Sequence, residues 1–160
     1  MKLGDFNFPY KSTGTLLFDP RKAHKKSEQW WVHLQCDSEI IELYKWFLSK
    51  KGIEIIKNKL WGAHVSAIKG EKPEQNIESW GIQDGIECEF WYSNYVRYDN
   101  GLHSWIDVLS PDLTEIRDFY GLPAKEYTIK YHMTIGSIKG IVPDNRPADV
   151  YIKKDGIITL

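Results

Sequence analysis

The chain is poor in cysteine, holding only Cys36 and Cys88 among 160 residues. Two cysteines cannot build a disulfide framework, and both are expected as buried thiols in a reducing compartment. Excess charge is lacking as well: 21 basic and 22 acidic residues leave a formal charge of −1. That balance argues against charge-driven binding to long nucleic acid, though not against a small nucleotide in a local pocket. No apolar run is long enough to span a bilayer, so no membrane partner is expected. No charged-then-apolar leader opens the chain, and a cytoplasmic protein is expected. Glycine-rich phosphate loops and serine-nucleophile elbows are missing. The histidines and cysteines lack metal-ligand spacing, so neither a metal nor a cofactor is expected.

What remains has the make-up of an ordinary globular protein, 42% apolar and 27% charged. The length suits one domain over residues 1–160. Aromatics reach 14%, with seven tryptophans. Most belong in a core, and a few are candidates to stack on bases.

Two helices are well marked. In the first, Asp37 or Ser38 caps the start, Ile40, Leu43, Tyr44, Phe47 and Leu48 recur at helical spacing, and Gly52 stops it. In the second, Ser110 is the cap and Pro111 the first helical residue. Leu113, Ile116, Phe119 and Tyr120 form its apolar face, and Gly121 and Pro123 end it. Strand-like runs flank each: 30–36 and 61–68 around the first, 104–109 and 127–135 around the second. Further strands are expected at 14–18, 86–92 and 95–98, the last two as a pair. Asn100-Gly101 signals a tight turn, and Asp155-Gly156 a last hairpin between 150–153 and 157–160.

The chain therefore reads as strand–helix–strand, twice. His64 lies 12 residues after Gly52 and His132 lies 11 after Gly121. Each is followed two positions later by a hydroxyl, in His64-Val65-Ser66 and His132-Met133-Thr134, and then by Lys69-Gly70 and Lys139-Gly140. On a strand, residues i and i+2 share a face, so each histidine points with its hydroxyl while Val65 and Met133 point into a core. With the two strands side by side near a pseudo-twofold axis, four polar side chains converge on one cleft. Imidazoles titrate near neutrality and serve as general acid and base; hydroxyls hydrogen-bond phosphate oxygens. Gly62 and Gly136 either leave room for a phosphate or mark strand irregularities.

At these residues the sequence resembles the two-histidine phosphoesterase superfamily, with its paired His-x-Ser/Thr motifs. The run from Leu60 to Pro73, with the helix before it and Tyr131-His132-Met133-Thr134-Ile135-Gly136, is most similar to the phage anti-CBASS nucleases, which cleave cyclic di- and trinucleotide immune messengers. The resemblance spans roughly Trp30 to Gly140. It implies an α+β, bilobal fold: two pseudo-symmetric strand–helix–strand lobes with antiparallel sheets around a central cleft. It also implies a metal-independent phosphodiesterase acting on 3′–5′ bonds, in the host cell cytoplasm if phage-encoded. His64, Ser66, His132 and Thr134 would be its catalytic groups. One imidazole would take a proton from the ribose 2′-hydroxyl or from water, and the other would give one to the departing 5′ oxygen.

Substrate-binding candidates are Tyr10, Trp91 and Trp105 for base stacking, with Trp61 behind them, and Lys130, which shares the face of His132. On a regular strand Trp61 faces the core, and Lys69 and Lys139 face away from the histidines. His24 sits in a basic run, His33 alternates with Trp31 as a structural residue, and His103 follows a turn. Two other functions fit the same residues: an RNA 2′,3′-cyclic phosphodiesterase, and a protein that sequesters a nucleotide without cutting it.

Overall fold

The computed structural model describes residues 1–21, 29–56, 61–99, 103–124, 131–139 and 156–160. In chain order the elements are β1 (Lys2–Leu3), β2 (Phe6–Asn7), β3 (Tyr10–Phe18), β4 (Trp31–Gln35), α1 (Glu39–Lys50), β5 (Glu54–Ile56) and β6 (His64–Lys69). A 3-10 turn follows at Ile77–Ser79, and then β7 (Glu87–Tyr92), β8 (Tyr95–Tyr98), β9 (His103–Leu109), α2 (Pro111–Phe119), β10 (Tyr131–Lys139) and β11 (Gly156–Thr159). The fold is α+β, and among the described residues every strand pair is antiparallel. β1 and β2 form a small hairpin. The other nine strands form one sheet in the order β11-β8-β9-β7-β3-β4-β6-β10-β5, and a further β9–β10 pairing closes six of them into a ring.

Pairing around that ring is uneven. β7-β3-β4-β6 and β9-β10 are each broadly paired. The two sets meet along two narrow seams: Val65 with Met133, and Trp91 and Tyr92 with Leu109 and Val108. β7 and β8, expected as a pair, are not paired, because β9 lies between them. The link at Ser93 is fully buried and tied across β9: its N–H donates to the Asp107 carbonyl, and the Tyr44 hydroxyl donates to its own carbonyl.

α1 begins where the Asp37 side chain accepts from the Glu39 N–H at 2.9 Å; the Ser38 side chain makes no capping bond. Its buried stripe is Ile40, Ile41, Tyr44 and Leu48. Leu43 and Phe47, expected on that stripe, are exposed instead, because the Ile41 side faces the sheet. α2 follows its sequence signals more closely. Ser110 accepts from the Leu113 N–H, Pro111 opens the helix, and Gly121 has φ +70° just past the end. Phe119 is more exposed than its spacing suggests, and Arg117 is buried in its place. The helices pack crosswise, α1 on β5 and β10 and α2 on β6 and β7. Strand and helix residues share one apolar cluster, Val65 and Met133 among them.

Both cysteines lie in that cluster as free thiols. Burial pushes Cys36 up to about 12 and, with Asp112 and Glu87 nearby, Cys88 up to about 11. Among the described residues, no helix is long and apolar enough to cross a membrane. The Asn100-Gly101 turn and the 150–153 strand fall outside the described residues; β11 pairs with β8.

Candidate active site

Val65 and Met133 are both fully buried and face each other across the β6–β10 seam. The antiparallel sense of that pair sets His64 across from Thr134 and Ser66 across from His132, all on the face turned away from the apolar cluster. His64, Ser66 and Thr134 are half-buried and His132 is exposed. The two histidines are diagonal neighbours, a relation that sets such residues about 7–8 Å apart with their Cβ atoms somewhat closer.

The same registers extend the face into two rows running across the strands. One is Gln35, His64, Thr134, Trp105 and Arg97. The other is His33, Ser66, His132, Asp107 and Tyr95. A local twofold through the Val65–Met133 pair exchanges His64 with His132, Ser66 with Thr134 and Gln35 with Asp107. Both motif strands are irregular at the same place, three residues after the histidine: Ala67 in β6 and Ile135 in β10 are the unpaired residues of β-bulges.

On the β6 side the groups are tightly held. The His64 Nδ1 lies 3.1 Å from the Gly62 carbonyl oxygen. A carbonyl only accepts, so this nitrogen carries the hydrogen and Nε2 is the basic atom of the neutral ring. Gln35 Nε2 donates to the carbonyls on either side of Gly62, at 3.0 Å to Ala63 and 3.4 Å to Trp61. Trp31 donates its indole N–H to Ser66 Oγ at 3.0 Å and packs edge-on against His64. With Oγ accepting there, the Ser66 hydroxyl hydrogen is directed to another acceptor. His33 is fully buried, with its ring centroid 5.1 Å from that of His64.

On the β10 side, Asp107 is buried. Its Oδ2 accepts from the Tyr95 hydroxyl and from Arg97 Nε, each at 2.7 Å. Burial works against the Arg97 charge, but the hydrogen bond and charge of Asp107 outweigh it and raise its pKa. Burial first, then the bond to Asp107, raises the Tyr95 phenol. Phe6 packs on both the Arg97 and Tyr95 side chains.

Of the stacking candidates, Trp105 is brought to the site, with its ring 6.2 Å from that of His132. Trp91 lies on the same face but beyond Leu109, under the Lys11 ammonium at 5.0 Å. Tyr10 is paired with Tyr92, which belongs to the apolar side with Val108, and is not brought to the histidines. Lys130 and His24 lie outside the described residues.

Trp61 does not face the core as a regular strand would have it. Gly62 has φ +65°, β6 starts only at His64, and Trp61 turns to pack on Trp31 at 4.7 Å and on His33. Lys69 also shares the histidine face, because the Ala67 bulge reverses the alternation and sets its ammonium 5.6 Å over the Trp31 ring. Lys139 is paired with Glu54 at 3.6 Å on the edge strand.

Both glycines answer to the backbone. Gly62 needs its left-handed φ, and a Cβ there would meet nothing nearer than 3.6 Å. At Gly136, φ is +149° and a Cβ would collide with the Ile56 carbonyl and sit 2.8 Å from Ile55 Cγ2. Gly136→Ala should therefore push β5 off β10 and destabilise the fold by about 1–3 kcal/mol, read as a lower midpoint in thermal unfolding.

Sequence reasoning missed Gln35, Asp107, Arg97 and Tyr95. The signal for Asp107 was available: a lone carboxylate inside Trp105-Ile106-Asp107-Val108-Leu109 must find partners if that strand is buried. Among the described residues, no three His, Cys, Asp or Glu side chains are grouped to hold a metal ion. The chain matches no protein-family model, and neither curated proteins nor solved structures give a significant match.

Proposed function

We propose that this chain is a metal-independent phosphodiesterase that cleaves 3′–5′ bonds of cyclic di- and trinucleotide messengers, with the two-histidine phosphoesterase fold. In a phage it would serve to evade the host's CBASS defence. The observation that carries the reading is the Val65–Met133 pair, with an imidazole and a hydroxyl projecting on each side of it toward one face. The narrow seams between two sets of broadly paired strands support a bilobal reading of the fold, and the crosswise helices support its pseudo-symmetry.

In this mechanism the phosphodiester sits between His64 and His132. One imidazole takes the 2′-hydroxyl proton, the 2′ oxygen bonds to phosphorus, and the bond to the 5′ oxygen breaks as the other imidazole protonates it. The 2′,3′-cyclic phosphate then opens with water. Ser66, held as a donor by Trp31, and Thr134 hydrogen-bond the non-bridging oxygens as charge develops on them. Trp105 offers a face for a base beside His132.

The test is a cleavage assay in EDTA with cyclic di- and trinucleotides and a 2′,3′-cyclic mononucleotide. Loss of the cyclic oligonucleotides with wild-type protein, and none with a His64→Ala/His132→Ala double variant of unchanged fold, is the expected result. Opening of the mononucleotide alone would make this an RNA-end enzyme. Tight binding without cleavage would make it a nucleotide-sequestering protein.

A further inference from the structure

The local twofold is nearly complete in chemistry except at one pair of positions. Beside His64 stands Gln35, a neutral amide; at the corresponding position beside His132 stands Asp107, a carboxylate. Gln35 spends its amide hydrogens on Trp61 and Ala63, fixing the loop whose Gly62 carbonyl takes the His64 Nδ1 hydrogen. That arrangement suits a neutral imidazole with Nε2 as its basic atom. Asp107 sits directly across from His132, its own backbone N–H and carbonyl turned to Ser93, and two donors on the same oxygen keep its carboxylate fixed. A fixed carboxylate opposite an imidazole favours its charged, proton-bearing form.

From this broken symmetry we infer that His64 is the general base and His132 the general acid of the bond-breaking step, with Asp107 the positioning residue that sets the difference. The inference rests on the phosphodiesterase reading above. In the first step the 2′-hydroxyl proton goes to His64 Nε2, the O2′–P bond forms, the P–O5′ bond breaks, and His132 gives its proton to O5′. In the second, water loses a proton to the now neutral His132 and bonds to phosphorus. The P–O2′ bond breaks, and His64 returns its proton to O2′, so both rings regain their starting states.

Facing His132 across β9 is Asp107, with Arg97 and Tyr95 on β8 behind it; across β6 is Ser66, with His64 on the diagonal and His33 on β4 behind them. Arg97 offsets part of the Asp107 charge. Removing the carboxylate therefore exposes Arg97, and both changes disfavour the imidazolium.

The experiment compares a cyclic dinucleotide, whose leaving group is a ribose 5′ oxygen, with uridine 3′-(4-nitrophenyl phosphate), whose leaving group departs without a proton. Rates of 2′,3′-cyclic phosphate formation are measured in EDTA across pH. His132→Ala should lose about 10²–10⁴ in kcat on the dinucleotide and most of that deficit should vanish on the nitrophenyl ester. His64→Ala should keep its deficit on both. Asp107→Asn should move the alkaline limb of kcat/KM on the dinucleotide to lower pH, which a purely structural loss would not do. Rescue of His64→Ala in place of His132→Ala, equal rescue of both, or rescue of neither overturns the assignment. An alkaline limb unmoved in folded Asp107→Asn overturns the role of Asp107; if that variant does not fold, Tyr95→Phe, which strips one donor from the carboxylate and so leaves it a stronger charge, should move the limb upward, and an unmoved limb there has the same consequence. A wild type that cuts neither substrate fails the phosphodiesterase reading itself, which the reversed rescue pattern leaves standing.

Discussion

Replacing either His64 or His132 with alanine is expected to lower kcat on a cyclic dinucleotide by about 10²–10⁴, with KM nearly unchanged. In the proposed mechanism the imidazoles act on protons that move only as the bond breaks, so their loss would fall on the transition state rather than on binding. The double variant should fall little further than the worse single variant, because a base without its acid partner is already an incomplete device. Ser66→Ala should cost up to about 10²–10³, the range for removing one donor to a developing oxyanion. His132 is exposed, so its loss should leave thermal unfolding unchanged, while loss of half-buried His64, bonded to Gly62 and packed on Trp31 and His33, should lower the midpoint only modestly. Steady-state kinetics with matched unfolding curves check this; an alanine variant at either histidine with wild-type kcat would remove that residue from the chemistry.

The largest loss of stability is expected from Arg117→Met. Arg117 is 2% exposed yet charged. Its two terminal nitrogens each donate to Glu71 at 2.8 Å, Nη1 also donates to the Ala67 carbonyl at 2.9 Å, and Nε donates to Pro123 at 2.8 Å. Ala67 is the bulge residue of β6, whose carbonyl has left the strand ladder and is satisfied by this guanidinium. Methionine restores the packing but strands Glu71 and two carbonyls. Glu71 is partly open to water, so the cost should sit at about 3 kcal/mol, the low end for breaking a buried pair. At this chain length that lowers the unfolding midpoint by roughly 6–12 °C. Glu71→Gln, which keeps a hydrogen-bonding partner for Arg117, should cost clearly less.

Both helices, their stop signals and the polar face of the two motifs were legible in the sequence because they depend on local spacing. Ser110-Pro111 and Gly121 bracket α2 by backbone geometry alone. The alternation His64-Val65-Ser66 and His132-Met133-Thr134 needs only a pleated strand to separate polar from apolar. What escaped depends on register. Nothing local says that β9 slides between β7 and β8, or that Asp107 stands across from His132 rather than one residue away. Bulges are equally silent: Ala67 looks like any small core residue, yet it reverses the facing of Lys69. Leu43 and Phe47 fit the helical period as well as Ile41 does, and only the contact with the sheet chooses among them.

The single Val65–Met133 pair also works as a gauge of spacing. Slipping β6 by one residue against β10 would bury one motif's histidine and hydroxyl and expose a core side chain. A slip of two in one direction would set the imidazoles directly opposite, too close to admit a phosphate; in the other it would bring Ser66 and Thr134 together and drive the rings apart. Since the seam is one pair wide, it cannot resist such slips by its own ladder. The crossed helices supply the resistance, α1 bearing on β10, which carries His132, and α2 on β6, which carries His64. Loosening either helix should therefore be felt first as a changed spacing between His64 and His132, before any unfolding is seen.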